Sequence, residues 1–312
     1  MKNKDIDKKA YADAKKQELK EITDKLEAGV KEVFNGDGYM DYLRFCAKMP
    51  RYSINNQILI MIQKPDATMC QSFNGWKESG RTIKKGEKGI RILAPAPYTI
   101  NSARNKIDAN GNTVLDANGN PITEIVKVKI NAFKPVSTFD ISQTEGEPVP
   151  TFDIAELTGS VAGYKTLMEA IKQSVDIPIE FEDITSGAKG YYSIVENRIA
   201  IKEGMSEAQT IKTALHEASH ATLHSKEALK GVPDKSKNQK ETEAESVAFI
   251  VCEHYGIDTS DYSFGYLATW SSGKEVPELK ASLETIRQAA NDLITKIDDK
   301  IAELTDAQTS VA

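Results

Sequence analysis

Residues 213–224 read TALHEASHATLH and hold three of the four histidines of a 312-residue chain. His216 and His220 are four positions apart, a spacing that places both imidazoles on one face of an α-helix. A helix start is indicated upstream, because Ser206 is followed three positions later by Gln209 in a capping-type pattern. The stretch therefore predicts a helix that presents two nitrogen ligands to one metal ion, with Glu217 beside them.

The residue types of this H-E-x-x-H motif suit metal-assisted hydrolysis. Neutral imidazoles hold Zn²⁺ and leave it electrophilic, so water at an open coordination position loses its proton near neutral pH. The Glu217 carboxylate can accept that proton and later deliver it to a leaving amine. Because paired strands precede the helix, the motif favours a catalytic zinc site over a helix that carries histidine by chance.

A third protein ligand is required, and His224 cannot supply it. It lies eight residues from His216, about 12 Å along a helix axis, so we expect it at the surface or in contact with a ligand residue. The segment KETEAESVAFIVCEHYGI (240–257) offers Glu241 and Glu245, four residues apart on one helix face. A carboxylate pair that points into a core needs a cation, which a metal would supply.

An H-E-x-x-H motif followed about twenty residues later by E-x-x-A resembles the gluzincin metallopeptidases, including the ImmA/IrrE-like group. The resemblance implies that Glu241 is the third zinc ligand and that Glu245 orients His216. Glu243 faces away and is the alternative ligand. The tyrosines that could stabilise an oxyanion, with a place in the core as the competing interpretation for each, are Tyr262 and Tyr266.

Composition limits the class of protein. The chain is 40% hydrophobic and 28% charged, carries a net charge of −6, and has three cysteines without metal-binding spacing. It has no run of about 18 apolar residues and no signal-peptide pattern, so we expect a cytoplasmic protein that has no membrane partner. The length predicts two domains, at 1–150 and 155–306, joined near SQTEGEPVP (142–150).

Residues 44–91 depart from the acidic character of the whole chain, with ten Lys and Arg residues and three acidic residues. Cationic side chains interleaved with aromatic ones suit single-stranded nucleic acid, since phosphates are neutralised and unpaired bases stack. A solvated basic face around a core tryptophan is the competing interpretation. The candidate nucleic-acid-binding residues are Tyr52, Asn55, Asn56, Trp76, Arg81, Lys84, Lys85 and Lys88.

Four segments carry a second resemblance: YSINNQILI (52–60), PDATMCQSFNGW (65–76), GRTIKKGEKGIRI (80–92) and VSTFDISQTEG (136–146). Their order is similar to that in ArdC-type antirestriction proteins, and Tyr266 with Trp270 matches a further Y-x-x-x-W motif of that family. The resemblance covers roughly residues 40–300. It implies an α+β fold, in which an N-terminal helix-plus-antiparallel-sheet domain binds single-stranded DNA and a zincin-like metallopeptidase domain follows.

The function implied by the resemblance is that of an antirestriction-type protein of mobile or conjugative DNA. Such a protein would bind single-stranded DNA and carry a zinc metallopeptidase site for an unidentified protein substrate. Two alternatives stay open: a DNA-addressed regulatory protease that cleaves a repressor, and a DNA-binding protein whose zinc is purely structural. Glu217 argues against the second alternative, because a structural site has no use for a base. The N-terminal 35 residues and the DANGN repeats at 108–120 have no assigned role, although each Asn-Gly predicts a hairpin tip.

Overall fold

The computed structural model describes residues 2–34, 37–109, 111–149, 161–233, 235–260, 262, 264 and 275–309. Within these ranges, the side chains of residues 2–12, 161–162 and 307–309 are left out of the description. The chain contains runs of helices and runs of strands, and the predicted α+β class is confirmed.

Three helices come first, and their apolar spacing explains where they pack. They are α1 (Lys2–Val33), α2 (Gly38–Lys48) and α3 (Ile54–Gln63). Leu26 and Val30, one helical turn apart on α1, are both buried. Helix α3 ends one residue before Lys64-Pro65, as expected from the bias of pre-proline residues against helical backbone. The sequence predicts helices over 5–34, 39–48 and 53–63, and the structure has a helix in each of these ranges.

Short strands and one short helix follow: β1 (Cys70–Gln71), α4 (Phe73–Glu78), β2 (Arg81–Ile83), β3 (Ile90–Pro95), β4 (Tyr98–Asn105), β5 (Thr123–Ile130), β6 (Phe133–Asp140) and β7 (Thr144–Gly146). One sheet has the order β1-β6-β3, while β2 pairs with β7 and β4 pairs with β5. Both two-stranded pairs are antiparallel. A 3₁₀ turn over Ile141–Gln143 connects β6 to β7.

The DANGN repeats form turns at the end of the β4–β5 ribbon. The Asp108 carboxylate accepts a hydrogen bond from the backbone of Asn112, and the Asp116 carboxylate accepts one from the backbone of Asn120. Gly111 and Gly119 have φ values of 84° and 85°, which only glycine adopts without cost. The predicted hairpin tips are confirmed.

The C-terminal half contains α5 (Val161–Ser174), β8 (Ile179–Glu182), β9 (Gly190–Ser193), β10 (Arg198–Lys202), α6 (Glu207–His224), α7 (Lys237–His254) and α8 (Val276–Thr309). Strand β10 is central in the order β8-β10-β9, parallel to β8 and antiparallel to β9. Its residues Ile199–Ile201 are fully buried. Strand β9 lies at one end of this order and is an edge strand among the described residues. None of the helices in the described ranges is long and apolar enough to cross a membrane.

The chain divides into two compact units, one of residues 1–23 and 91–137 and one of residues 24–90 and 138–312. Within the second unit, α2 packs against α7: the Tyr39 hydroxyl lies 2.7 Å from Ser246 Oγ, and His254 Nδ1 lies 2.9 Å from the Ala47 carbonyl oxygen. Helix α2 therefore shares a core with helices of the C-terminal half. The boundaries 1–150 and 155–306 stay predictions.

Candidate functional site

Helix α6 positions the histidine motif. It begins after Ser206, whose Oγ accepts a hydrogen bond from the Gln209 N–H at 3.4 Å, so the predicted cap is present. His216 and His220 lie three turns further on, with their Nε2 atoms 3.1 Å apart. The helix face that presents both imidazoles is held by buried apolar neighbours on the opposite face, Ala214 and Ala218 among them.

Helix α7 brings Glu241 to these imidazoles. Its Oε2 atom lies 3.5 Å from His216 Nε2 and 3.4 Å from His220 Nε2. Neighbouring ligand atoms of a tetrahedral zinc site, with bonds of about 2.0–2.1 Å, are separated by about 3.3 Å. The three separations match that value, so this donor set fits one ion of zinc size. In the described part of the chain, this is the cluster of His, Cys, Asp and Glu that could hold a metal.

The pKa shifts favour a neutral His220 and an ionised Glu241, as metal binding requires, whereas the shift at His216 favours its protonated form. Burial, helped by the charge of His216, lowers the pKa of His220 to about 4, so its imidazole is neutral at pH 7. The hydrogen bond with His216 lowers the pKa of Glu241 to about 2. Burial opposes protonation of His216, but the hydrogen bond to Glu241 and the nearby carboxylates outweigh it and raise its pKa. The cluster thus combines an ionised carboxylate with two imidazoles that it attracts.

Glu217 lies beside the cluster without joining it. Burial raises the pKa of its carboxyl above the ordinary value, while His216 and a hydrogen bond with the backbone of Tyr192 act in the opposite direction. Tyr192 belongs to the edge strand β9, so Glu217 sits between the helix and that strand. A carboxylate with a raised pKa next to an electrophilic centre is suited to accept and return a proton.

Two clefts meet at His216 and Glu217. The first, of about 470 Å³, also contains Lys212, Glu245 and Tyr262, and we call it the Lys212 cleft. The second, of about 610 Å³, continues past His220 and Glu241 to Lys240, and we call it the Lys240 cleft.

Glu245 and Tyr262, both predicted from the sequence, thus border the same cleft as Glu217. Burial raises the pKa of the Glu245 carboxyl. The Tyr262 hydroxyl lies 3.8 Å from Cys252 Sγ, and its ring packs edge-on against Phe249. Tyr266 and Trp270 lie outside the described residues.

His224 and Glu243 form a buried pair behind the cluster. His224 Nδ1 lies 3.0 Å from His220 Nδ1, and His224 Nε2 lies 3.0 Å from Glu243 Oε2. Glu243 Oε2 also accepts a hydrogen bond from Lys235 Nζ at 2.7 Å. Glu243 therefore points away from the candidate ligands, and His224 touches one of them. The pairing of His224 with Glu243, nineteen positions apart, carries no periodic signal in the sequence.

The candidate DNA-binding residues separate into a basic turn and a buried group. The basic turn, which we define as residues 81–88, is held against the 3₁₀ turn: the Lys84 N–H donates to the Gln143 carbonyl at 3.0 Å, and Lys84 Nζ donates to the Ser142 carbonyl at 2.8 Å. Lys85 and Lys88 are exposed. Arg81 is half-buried and donates from Nε to Thr144 Oγ1.

Trp76 corrects one expectation. Its side chain has no exposed surface, and its indole Nε1 donates to the Phe139 carbonyl at 2.8 Å. A ring with no free face cannot stack on a base, so the interpretation of Trp76 as a base-stacking residue is wrong and the core interpretation is correct. Tyr52, Asn55 and Asn56 are half-buried.

The exposed aromatic side chain of the same short helix α4 is Phe73, at 60% exposure. Phe73 is not among the candidate residues predicted above, and nothing in the segment FNGW (73–76) indicates which of its two aromatic rings is exposed.

Two family models match this chain. Residues 12–139 match the model described as the N-terminal domain of anti-restriction factor ArdC. Residues 172–255, which contain the histidine motif and Glu241, match the Peptidase M78 model, described as the IrrE N-terminal-like domain. The chain has the ArdC-type domain architecture.

Two further proteins are similar in sequence to this chain. The chain is 29% identical over 318 residues to an uncharacterized protein of Bacillus anthracis, an alignment that covers 93% of this chain and 53% of that protein. It is 24% identical over 250 residues to DNA primase TraC of Escherichia coli, covering 77% of this chain and 16% of the primase. The chain thus spans about half the length of the first relative and a small part of the second.

Two crystal structures of the antirestriction ArdC protein from the R388 plasmid, one metal-free and one Mn(II)-bound, are also similar. Both share 20% sequence identity with this chain at a TM-score of 0.44. The match covers 81% of this chain, with 86% of the metal-free chain and 84% of the Mn(II)-bound chain.

Proposed function

We propose that this chain is an antirestriction-type protein of mobile DNA, which binds single-stranded DNA and carries a zinc metallopeptidase site. The observation that carries the peptidase proposal is the set of three ligand atoms 3.1–3.5 Å apart with the buried Glu217 carboxylate beside them. The match of this region to a peptidase family model agrees with it.

In this proposal, His216, His220 and Glu241 hold the ion, and Glu245 orients His216. A bound Zn²⁺ supplies a Lewis acid and lowers the pKa of a water ligand toward 7. Glu217 takes the proton of the attacking water and returns it to the leaving amine, a role for which its raised pKa is suited. The strand β9, which borders both clefts at Gly190 and is an edge strand among the described residues, presents that edge to an extended peptide.

A purely structural zinc is disfavoured by the surroundings of the cluster. Structural zinc sites are closed by four protein ligands, whereas catalytic sites keep one position open. In the described residues the cluster offers three ligands, and it lies between two clefts with Glu241 40% exposed. Such access would serve a substrate and has no use in a structural site.

The substitution Glu217→Gln tests the peptidase proposal. Gln keeps the size of the side chain but cannot accept the proton, so we expect zinc to bind with unchanged stoichiometry while peptide hydrolysis falls by about 10² or more. Zinc content by mass spectrometry and hydrolysis of a casein-type substrate are measured together, and His216→Ala is the control that loses both. Hydrolysis at the wild-type rate in Glu217→Gln would refute the role of Glu217 as the base.

The proposal of DNA binding rests on the basic turn and the exposed Phe73. Lys84, Lys85 and Lys88 are exposed cations that phosphates would attract, and the Phe73 ring is open for stacking. The match of residues 12–139 to the N-terminal domain of an anti-restriction factor supports an interaction with DNA.

Fluorescence anisotropy with a single-stranded oligonucleotide and the matching duplex, across a salt series, tests this proposal. Each phosphate contact contributes about 0.7 to the salt slope on single strands, so the triple variant Lys84→Gln, Lys85→Gln, Lys88→Gln should reduce the slope by about 2. Phe73→Ala should weaken binding about tenfold, and Lys230→Gln, a lysine outside this surface, should change nothing. Salt-independent binding, or none at low salt, would rule the proposal out.

A further inference from the structure

We propose that the peptide segment accepted by the metal centre is acidic, and that lysines on both sides of the centre select it. This inference rests on the proposed peptidase function and names its substrate class. It comes from the lysines that line the two clefts, because hydrolysis itself does not require these positive charges.

The Lys240 cleft carries the larger group of cations. Lys226 follows the C-terminal end of α6, Lys237 is the first residue of α7, and Lys240 lies one turn further along α7. All three line the cleft together with His220 and Glu241. Lys226 and Lys237 are exposed, so their ammonium groups are accessible to a ligand in the cleft.

The Lys212 cleft, on the other side of His216, is also lined by lysines. Lys189 and Lys212 line it, with Lys189 Nζ held 2.7 Å from Gln209 Oε1 and Lys212 Nζ over the ring of Tyr262 at 5.7 Å. Among the described lining residues of both clefts, the acidic side chains are the three carboxylates of the centre, Glu217, Glu241 and Glu245.

This charge distribution is not what composition alone supplies. The chain has 46 acidic residues and 40 Lys and Arg residues, yet five lysines and no acid beyond the centre itself line the described walls of these clefts. Beyond the carboxylates of the centre, the described walls carry positive charges, and a wall of one sign raises the local concentration of ligands of the opposite sign.

The remaining walls favour a peptide over a nucleic acid. Tyr191, Tyr192, Ile194 and Leu229 line the Lys240 cleft and offer apolar contacts to side chains that lie between acidic ones. Strand β9 offers backbone pairing to an extended chain, as above. We therefore infer an extended peptide in which Asp or Glu flanks the scissile bond among apolar residues.

The test compares two fluorogenic peptides that differ only by Glu in one and Gln in the other at the positions flanking a common apolar centre. The full chain loaded with Zn²⁺ should cleave the Glu peptide with a kcat/KM about tenfold higher than the Gln peptide, since a few exposed ion pairs each contribute a small factor. The triple variant Lys226→Glu, Lys237→Glu, Lys240→Glu should abolish this preference. The matched control is Lys230→Glu, in the same connection but outside the clefts, and it should retain the preference.

A binding measurement separates this inference from the peptidase proposal. Anisotropy of the labelled Glu and Gln peptides on the Glu217→Gln variant reports recognition without hydrolysis, and the preference should weaken at high salt through screening. If the Glu peptide binds more tightly than the Gln peptide but the wild type cleaves neither, the peptidase proposal is refuted and the recognition of acidic peptides is retained. Cleavage of both peptides at equal rates would overturn acidic selection and keep the peptidase. A triple variant that loses single-stranded DNA binding and keeps the peptide preference would assign these lysines to nucleic acid instead.

A separate observation concerns His224 and Glu243, and from it we infer that this pair positions His220 for metal binding. For His220 to offer the Nε2 lone pair to an ion, its proton must reside on Nδ1, which lies 3.0 Å from His224 Nδ1. His224 Nδ1 then accepts, so its own proton is on Nε2, which lies 3.0 Å from Glu243 Oε2. Each hydrogen-bond donor in this series, from His220 through His224 to Glu243, thus has an acceptor.

The side chains of His224 and Glu243 are held in place by burial. The side chains of His224 and Glu243 are 4% and 1% exposed, so neither can exchange its partner for water. Lys235 Nζ, 2.7 Å from Glu243 Oε2, balances the buried carboxylate charge. A hydrogen bond from the second nitrogen of a metal-binding histidine fixes its tautomer and its ring orientation. Here His224 lies between His220 Nδ1 and the Glu243 carboxylate and contacts both.

Two measurements test this role. In the metal-free wild type, ¹⁵N spectra of the imidazoles should report the Nδ1–H tautomer for His220 and the Nε2–H tautomer for His224. Glu243→Gln and His224→Ala should weaken Zn²⁺ about 10- to 100-fold in calorimetry with the three ligands intact, whereas His254→Gln, on α7 away from the centre, should not. An Nε2–H tautomer at His220 would overturn the inference. Unchanged zinc affinity in the folded Glu243→Gln variant would also overturn it, because a pair with only a structural role would alter stability and leave zinc affinity unchanged.

Discussion

Asp140 is the residue on which the position of the basic turn depends. Its Oδ2 atom accepts hydrogen bonds from the N–H groups of Thr68 at 2.8 Å and Met69 at 3.1 Å. Its Oδ1 atom accepts one from the Ser142 N–H at 3.0 Å, and its side chain with that of Gln143 forms a capping box. The Gln143 amide in turn donates to the Lys88 carbonyl at 2.9 Å, inside the basic turn.

The substitution Asp140→Ala removes the acceptor of three backbone N–H groups. Asp140 is buried, and hydrogen bonds to a charged group contribute about 1.5–3 kcal/mol each, but Thr68 and Ser142 are exposed and their N–H groups can turn to water. We therefore expect a loss of about 3 kcal/mol in the free energy of unfolding. Asp140→Asn keeps one acceptor oxygen and should cost about half as much, roughly 1.5 kcal/mol.

The same contacts predict a pH dependence. Burial alone would raise the pKa of Asp140, but the hydrogen bonds from Ser142, Thr68 and Met69 outweigh it, and the folded-state pKa lies below the ordinary value. The carboxylate therefore contributes its full stabilisation above the unfolded pKa of about 3.9, and this contribution is lost as the pH falls through the lower folded pKa. The stability difference between wild type and Asp140→Asn should shrink as the pH falls below about 4.

Urea unfolding of the wild type and both variants at pH 7, and again at a series of lower pH values, measures these differences. The binding of single-stranded DNA, measured in the folded variants, should weaken with the loss of the turn. A cost below about 0.5 kcal/mol for Asp140→Ala at pH 7, or a wild-type-to-Asn difference independent of pH, would refute the reasoning.

Three further results follow from the described contacts. Ser246 Oγ donates to the Thr242 carbonyl at 2.6 Å, so it must accept a hydrogen bond from the Tyr39 hydroxyl. Tyr39→Phe should therefore lower the free energy of unfolding by about 1 kcal/mol in urea titrations. An unchanged free energy of unfolding would contradict the α2–α7 contact. Trp76→Phe should lower the free energy of unfolding by about 2–3 kcal/mol in the same assay, and the folded variant should keep its affinity for single-stranded DNA. A loss of DNA affinity without a loss of stability would argue against a core position for Trp76. Zn²⁺ at about 100 times its Kd should raise the melting temperature of the metal-free protein by about 5 °C in calorimetry, and equal stabilisation of His220→Ala would mean that the ion binds elsewhere.

The sequence predicts those parts of this molecule that local spacing determines. Imidazoles four residues apart on a capped helix, and the E-x-x-A segment of α7, have a periodicity that fixes the face they occupy. The Asn-Gly tips of the β4–β5 ribbon depend on the left-handed backbone of Gly111 and Gly119, which is also a local property. These elements are where the sequence-based expectations and the structure agree.

Contacts between distant segments are not predictable in this way. The choice between Trp76 and Phe73 as the exposed aromatic depends on which side of α4 meets β6, and no pattern within six residues determines it. The relay from His220 through His224 to Glu243 depends on how α6 and α7 pack, and the packing of α2 on α7 crosses more than 200 positions of sequence. The resemblance to known families places domains in order but not side chains in contact.

Calorimetric titration of Zn²⁺ into the metal-free full chain tests most directly whether His216, His220 and Glu241 form one metal centre. We expect one ion per chain in the wild type, and an affinity reduced more than about 100-fold in Glu241→Ala, because a ligand contributes more than the residues that orient it. Glu217→Gln, which removes the base and no ligand, should bind as the wild type does. Equal zinc affinity in wild type and Glu241→Ala would contradict the account.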